Sequence, residues 1–229
     1  MKLSKETISV LKNFSTIQPN LVVKPGSTIS TLADAKNMIA EANVKETFPQ
    51  EFGIYNLNEF INALSLVEDP ELEFSESYVT IVGKDSSKVT YHFADPSILT
   101  TKEKEIAMPP SELSVTLTDD QINTIRRAAG ALGQSVLSFT VENDECIARV
   151  KDPNNASANS FSIVVKKGMS ACYSQEFCDA IDFQFLIANL KLIPGTYNIE
   201  ISSKLISTWS GNDANYFIAL EKTSKIFDK

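Results

Sequence analysis

The stretch LSKETISVLK, residues 3–12, recurs 114 residues further along the chain as LTDDQINTIR, residues 117–126. Each copy opens with a leucine and a hydroxyl residue, Ser4 or Thr118, and continues with apolar residues at helical spacing. A hydroxyl before such a run is typical of a helix start, because its oxygen accepts a hydrogen bond from a free N–H group of the first turn. The two copies therefore predict two similar halves.

A second pair of apolar patterns supports this duplication. Residues 57–67 and 183–193 lie 126 apart, and both are predicted to be helices, with Asn56 and Asp182 as the capping residues. Each half then has the size of one ordinary domain. We expect an N-terminal domain over 1–110, a C-terminal domain over 111–229 and a linker at about 100–114, where two prolines stiffen the chain.

The segments between these helices are rich in β-branched and aromatic residues, which favour strands, and turn residues separate them. Many short strands with few helices predict an α+β fold, in which two short helices per half pack on antiparallel sheets. The predicted strands are residues 21–23, 78–82, 88–93, 135–141, 146–150, 161–165, 197–201 and 216–220.

Composition excludes several functional classes. The chain has 229 residues, a net charge of −8, one histidine and three cysteines. An odd number of cysteines fits free thiols in a reducing compartment, and one histidine cannot complete a Cys–His zinc site of the usual spacing. Apolar runs long enough to span a membrane and Gly-rich phosphate loops are both missing from the sequence. We expect a cytosolic protein with no membrane partner, cofactor or metal.

Several short strings, in order from the first residue nearly to the last, resemble the sliding clamps of T4-type bacteriophages. In the first half they are MKLSK at 1–5, LKNF at 11–14, AEAN at 40–43, IYNLN at 54–58, LSLV at 64–67 and ADPS at 94–97. In the second half they are PGTY at 194–197 and ANYFIALE at 214–221.

The resemblance implies a DNA polymerase processivity factor without catalytic activity. Such clamps are closed homotrimeric rings of two-domain subunits, with helices around the hole and sheets outside. Duplex DNA passes through the hole, the ring tethers the DNA polymerase, and a clamp loader ATPase opens it. The resemblance also implies a platform for other phage replication and late-transcription factors, acting in the cytoplasm of the infected bacterial host.

The same resemblance suggests which residues meet these partners. The expected DNA-facing cations are Lys5, Lys12, Arg126 and Arg127, with Lys2 and Lys191 as weaker candidates. The expected partner-peptide pocket consists of Ile106, Met108, Pro109 and Phe227. The alternatives are an ordinary solvated helix face for the cations and, for the apolar group, residues that only pin the linker to the domains.

Two other functions stay open at this level. One is a non-enzymatic viral structural or adaptor protein made of repeated β-rich domains. The other, a small hydrolase, would have to use His92 as its base, because no other histidine is present.

If the chain is a clamp, its excess of acidic residues is expected on the outer surface, where they would repel DNA. These residues are Glu68, Asp69, Glu71, Glu73, Glu76, Glu142, Asp144 and Glu145.

Overall fold

A computed structural model describes residues 1–102, 106–155, 157–171 and 173–225. The chain divides into two compact units. The first comprises Met1–Glu105 with the short segments Lys191–Ile193 and Asp213–Tyr216, and the second comprises the other residues. Within the described ranges, no helix is both long enough and apolar enough to cross a membrane.

The first unit contains two helices and seven strands among its described residues. They are α1 (Lys5–Ile17), β1 (Leu21–Val23), β2 (Gly26–Leu32), β3 (Met38–Phe48), β4 (Phe52–Ile54), α2 (Leu57–Ser65), β5 (Glu71–Phe74), β6 (Tyr78–Val82) and β7 (Lys88–His92). A single 3-10 turn, Pro96–Ile98, follows the last strand.

The second unit carries most of the remaining elements. They are β8 (Leu113–Leu117), α3 (Asp119–Leu132), β9 (Val136–Glu142), β10 (Glu145–Lys151), β11 (Phe161–Lys167), α4 (Gln175–Ala180), β12 (Phe183–Leu186), β13 (Tyr197–Ser202), β14 (Ile206–Ser210) and β15 (Asn215–Ala219), of which the first two residues belong to the first unit. Its 3-10 turns are Met169–Ala171 and Ile187–Asn189.

The two units repeat one order of elements, as the duplicated sequence predicted. Strand β1 pairs antiparallel with β4 in the first unit, and β9 pairs antiparallel with β12 in the second. Strands β5–β7 lie side by side in chain order, as do β13–β15. In each unit the first residues lie beside the first of these three strands. The Met1 carbonyl accepts a hydrogen bond from the Leu72 amide of β5, and β8 pairs with β13.

The fourth helix was predicted over 183–193, and this prediction is wrong. Phe183–Leu186 is strand β12, and only the turn Ile187–Asn189 is helical. Phe183 and Phe185 are fully buried, so their apolar spacing of two follows a strand facing the core. The second helix of this unit is α4, an insertion between β11 and β12 that is capped by Ser174 and has no counterpart in the first unit.

Each unit has its own aromatic core. In the first, the centre of the Phe52 ring lies 4.8 Å from that of Phe93 and 5.4 Å from that of Phe74. In the second, the Phe185 ring meets Phe139 at 5.9 Å and Trp209 at 5.8 Å, both edge-to-face. Helix α1 packs against α2, β2 and β3, and α3 packs against β10 and β11. Each long helix therefore buries one side and leaves the other in solvent.

A glycine pair tests this packing. A Cβ atom on Gly53 would lie 2.5 Å from the Ala94 carbonyl oxygen and 2.7 Å from Leu99 Cδ1, whereas one on Gly130 in α3 would have nothing within 4 Å. We expect Gly53→Ala to lower the free energy of unfolding by about 1–3 kcal/mol through overpacking. Gly130→Ala should raise it by about 0.5–1 kcal/mol, because glycine weakens a helix. Urea denaturation measures both, and changes of the same sign would contradict the prediction.

Asp182 joins several elements of the second unit. Its carboxylate accepts hydrogen bonds from Lys151 Nζ at 2.7 Å, from Gln184 Nε2 at 2.8 Å and from the Ser138 hydroxyl. Its backbone N–H and C=O pair with the C=O and N–H of Lys225. Burial opposes ionisation, but the hydrogen bonds and the Lys151 charge outweigh it, so the pKa of Asp182 lies below its ordinary value. The ionised carboxylate thus connects β9, β10 and β12, and the Asp182 backbone holds the last described segment.

This lowered pKa predicts how stability depends on pH. A group whose pKa is lower in the folded state stabilises the fold above its unfolded value, about 3.9, and that contribution disappears as the pH falls through the folded value. Asp182→Asn should therefore lower the melting temperature at neutral pH and flatten its fall below about pH 4. The control is Asp213→Asn, at an exposed position. If the melting temperatures of wild type and Asp182→Asn fall by the same amount as the pH is lowered, this role of Asp182 is contradicted.

Candidate nucleic-acid interface

Helix α1 presents a polar face to solvent. Ser4 caps it, and the Ser4 hydroxyl oxygen accepts a hydrogen bond from the Thr7 N–H at 3.2 Å. The residues on its buried side are Thr7, Val10, Leu11, Phe14 and Ile17. Lys5, Ser9 and Lys12 lie on the solvent side, as their spacing predicted. Among the described residues, neither ammonium group forms a hydrogen bond or ion pair, so both face water.

The first turn of α1 is also held from strand β3. The Glu46 carboxylate accepts hydrogen bonds from the Ser4 N–H and from the Thr7 hydroxyl. Burial raises the pKa of Glu46, but the bonds from Thr7 and Ser4 outweigh burial, and the pKa lies below its ordinary value. The sequence patterns did not find this contact, because residues 38–48 were not predicted to be a strand.

Helix α3 repeats the register of α1 with different contacts. Thr118 and Gln121 form the predicted capping box, and Gly133 ends the helix in the left-handed conformation, with φ of 64°. Arg127 is exposed and donates to the Thr124 hydroxyl one turn earlier, at 3.2 Å. The other exposed residues near Arg127 on this helix are Asn123, Gly130 and Ala131, and all three are uncharged.

Three of the predicted DNA-facing cations bind a backbone carbonyl or a carboxylate of the protein. Arg126 Nη2 donates to the Leu190 carbonyl at 2.6 Å, and Lys191 Nζ donates to the Thr16 carbonyl at 2.5 Å. Lys2 forms an ion pair with Asp69 at 2.5 Å, and this hydrogen bond raises the pKa of Lys2. The structure therefore leaves Lys5, Lys12 and Arg127 as the candidates most accessible to a phosphate.

Similar proteins identify the family. The model of the DNA polymerase processivity factor family matches residues 4–108. The sliding clamp of Vibrio phage KVP40 is 31% identical over 227 residues, covering 96% of this chain and 99% of that protein. The sliding clamp of Enterobacteria phage T4 is 29% identical over 228 residues, covering 98% of each chain.

The chain belongs to the sliding-clamp family of DNA polymerase processivity factors. This confirms the family that the resemblance implied and its function as a DNA polymerase processivity factor. The fold agrees, because the solved structure of A. fulgidus PCNA with the C-terminal region of FEN-1 matches with a TM-score of 0.68 at 12% identity, covering 99% of this chain and 98% of that one. PCNA from Thermococcus kodakaraensis matches with a TM-score of 0.66 at 13% identity, covering 95% and 96% of the two chains.

The expected partner-peptide pocket of this clamp is described only in part. Ile106, Met108 and Pro109 are partly buried and lie outside helices and strands, while Phe227 falls outside the described residues. A cavity of about 430 Å³ in the first unit was missed by the sequence analysis. It is lined by Val22, Lys24, Pro25, Thr28, Ser30, Glu41, Thr101 and Lys102. The Lys102–Glu41 ion pair in its wall makes this cavity largely polar.

The structure also shows the surroundings of the histidine and of two of the cysteines, the residues that a hydrolase would need. His92 is exposed on β7, with the centre of the Tyr78 ring 5.8 Å from that of its imidazole. Burial raises the pKa of the Cys146 thiol to about 12, so this thiol stays protonated at neutral pH. Cys178 is also buried and its pKa is raised by burial, while Cys172 lies outside the described residues.

A second cavity, of about 310 Å³, lies beside the inserted helix α4. It is lined by Val141, Glu142, Asn143, Asp144, Ser170, Gln175, Cys178 and Asp179. Hydrogen bonds within the protein occupy several of its polar groups: Asp144 accepts from the Ser170 N–H, and Asp179 accepts from Gln175. Two acids expected on the outer surface, Glu142 and Asp144, are exposed at its rim.

The different contacts of Lys12 and Arg126 predict different costs of removal. Arg126→Ala leaves the Leu190 carbonyl without its charged donor, so the free energy of unfolding should fall by about 1–2 kcal/mol. Lys12→Ala, at the same helical register but exposed, should change it by less than about 0.5 kcal/mol. Denaturant unfolding of the two single variants gives both values. Equal costs would mean that the Arg126 hydrogen bond contributes nothing to stability.

Proposed function

We propose that this clamp is one subunit of a closed homotrimeric ring that encircles duplex DNA and tethers the replicative DNA polymerase. The observation that carries the proposal is the pair of helices α1 and α3. They share one capping register, and each presents only a few exposed cations, Lys5 and Lys12 on α1 and Arg127 on α3. This surface suits non-specific contact with a phosphate backbone better than recognition of a fixed ligand.

The strength of that contact fits a protein that must move along DNA. Each exposed cation attracts phosphates through water, where two unit charges at 4 Å gain only about 1 kcal/mol. Few such contacts give weak binding that depends on salt and not on sequence. The ring then supplies retention by topology, and the tethered polymerase gains effective concentration at the primer end.

Ring closure requires two different surfaces on each subunit that fit each other. Strand β11 is an outer strand of its sheet, and its first five residues, FSIVV, carry no charge. Val164 on this strand is 40% exposed. Only its last two residues, Lys166 and Lys167, carry charges of the kind that protect an edge, and the uncharged part favours pairing with another chain. We infer that β11 pairs with an outer strand of the next subunit, for which β7 is the candidate.

The other parts of the proposal follow the family. The chain comprises two clamp domains, 1–110 and 111–229, joined by a linker at about 100–114. Ile106, Met108, Pro109 and Phe227 receive peptide segments of the polymerase and of other replication and late-transcription factors. A clamp loader ATPase opens the ring on duplex DNA, and the clamp itself is not an enzyme. These events take place in the cytoplasm of the infected bacterial host.

Charge reversal tests the DNA-facing surface. Lys5→Glu with Lys12→Glu should shorten clamp-dependent primer extension products. It should also reduce the slope of log affinity against log salt for a duplex by about 1.8, because each phosphate that a lysine neutralises contributes about 0.9 to that slope. The matched control, Lys204→Glu with Lys222→Glu, makes the same change of net charge at two other exposed lysines. Both proteins should keep the wild-type particle mass, which is three times 25.2 kDa for a homotrimer.

Three results would contradict the proposal. A monomeric particle would remove the ring. Wild-type protein that never lengthens primer extension products in the presence of a polymerase and loader would favour a structural or adaptor protein. Equal reductions in the two charge-reversed proteins would show that only net charge matters and that Lys5 and Lys12 do not face DNA.

A further inference from the structure

We propose that Glu46 limits how strongly the clamp holds DNA. It anchors the first turn of α1, which begins with Lys5, and fixes a negative charge at that start of the helix, and in this way it keeps duplex phosphates from settling there. This inference rests on the proposed function, because it concerns the surface that carries Lys5 and Lys12. It goes further by assigning a role to an acidic residue that lies outside both helices.

The contacts of Glu46 leave its carboxylate little freedom. One oxygen, Oε1, accepts from the Ser4 N–H, and the other, Oε2, accepts from the Thr7 hydroxyl at 2.5 Å. Thr7 is buried, with 1% of its surface exposed, so its hydroxyl cannot turn to solvent. Glu46 is itself partly buried on β3. With both oxygens engaged, the negative charge is fixed in position and does not swing freely as it would on a surface glutamate.

This charge occupies the place that a phosphate would prefer. The start of a helix attracts anions, because its first N–H groups lack partners within the helix and its dipole is positive there. In α1 the Ser4 N–H is bound by Glu46, and the Thr7 N–H is bound by the Ser4 hydroxyl. A phosphate that approaches this helix start therefore meets a like charge and two N–H groups, those of Ser4 and Thr7, that are already bonded.

The charges around this turn, that of Glu46 included, sum to zero. Lys45, its neighbour on β3, forms an ion pair with Glu6 at 3.4 Å, and both side chains are mostly exposed. Lys5 is exposed and has no ion pair among the described residues. The local balance is two cations, Lys5 and Lys45, against two carboxylates, Glu6 and Glu46. An approaching phosphate thus finds no net positive charge at this end of the helix.

The second unit reaches a similar result with residues of the helix itself. Thr118 and Gln121 satisfy donors at the start of α3, and Asp119 and Asp120 supply negative charge there. One Asp119 oxygen accepts from the Gly195 N–H at 2.9 Å, which fixes that carboxylate as well. Both cation-bearing helices therefore have acids at their starts, and Lys12 and Arg127 lie further along. A ring with this pattern attracts DNA weakly and lacks a strong phosphate site that would stop it from sliding.

The test compares variants of the full-length clamp binding a short linear duplex at several salt concentrations. Glu46→Gln keeps the side-chain shape and an acceptor oxygen but removes the charge. It should bind the duplex about three- to tenfold more tightly at low salt and steepen the slope of log affinity against log salt by up to about 0.9, the value for one neutralised phosphate. The matched control is Glu73→Gln, an exposed acid on β5 with the same change of net charge.

Two further variants separate charge from packing. Glu46→Asp keeps the charge on a shorter side chain, and Thr7→Val removes the hydroxyl contact but leaves the Glu46 charge. Both should keep the wild-type salt slope, even if their melting temperatures fall. If either variant tightens DNA binding as Glu46→Gln does, or if Glu46→Gln no longer assembles, then the role of Glu46 is structural and the proposal is wrong.

Equal affinities for Glu46→Gln and Glu73→Gln would also overturn this inference, because only net charge would then matter. The proposed function itself would be contradicted by another result, namely wild-type clamp that shows no salt-dependent association with the duplex. The two failures are therefore distinguishable in one series of measurements.

Discussion

A helix begins with N–H groups that no residue of the same helix can satisfy, and in this chain the way these groups find partners determines how the two long helices meet solvent. In α1 the partners are the Ser4 hydroxyl and the Glu46 carboxylate from β3, and in α3 they include the capping box of Thr118 with Gln121. These contacts fix where each helix starts and therefore which side chains face outward. The exposure of Lys5, Lys12 and Arg127 depends on that register.

The net charge of −8 and a DNA partner are compatible because the charges are unevenly placed. Lys5 and Lys12 lie on one helix face among small polar residues, while acids such as Glu68, Glu73 and Glu76 are exposed in other segments of the first unit. Long-range repulsion by the acids and short-range attraction by a few cations together favour weak contact at one surface. That combination suits a clamp whose hold on DNA comes from ring closure.

The basic residues of this clamp divide by what their charged groups contact. Arg126 and Lys191 donate to backbone carbonyls, Lys2 binds Asp69, and Lys5 and Lys12 face water. A guanidinium that already donates to a carbonyl has fewer N–H groups left for a phosphate, and its removal disturbs the fold as well as the surface. Charge reversal at Arg126 would therefore mix two effects, which Lys5 and Lys12 keep apart.

Local patterns were sufficient for the parts of the fold that depend on neighbours in the chain. Ser4 and Thr118 cap the predicted helices because their bonds reach only three residues ahead, and strands such as Tyr78–Val82 follow from β-branched and aromatic composition. Strand β3 was missed because charged residues interrupt its alternation. The segment 183–193 was misassigned because its dense apolar residues fit the helical period as well as the strand period.

The sequence by itself determined the duplicated halves, the capped helices α1 and α3 and, through short strings in order, the sliding-clamp family. Only the tertiary structure decided that Phe183–Leu186 pairs as a strand, that Arg126 binds the Leu190 carbonyl and that Glu46 holds α1. The physical reason is distance along the chain. Caps and periodicity are interactions between near neighbours, whereas Glu46 lies 42 residues from Ser4 and Arg126 lies 64 from Leu190, so folding must first bring them together.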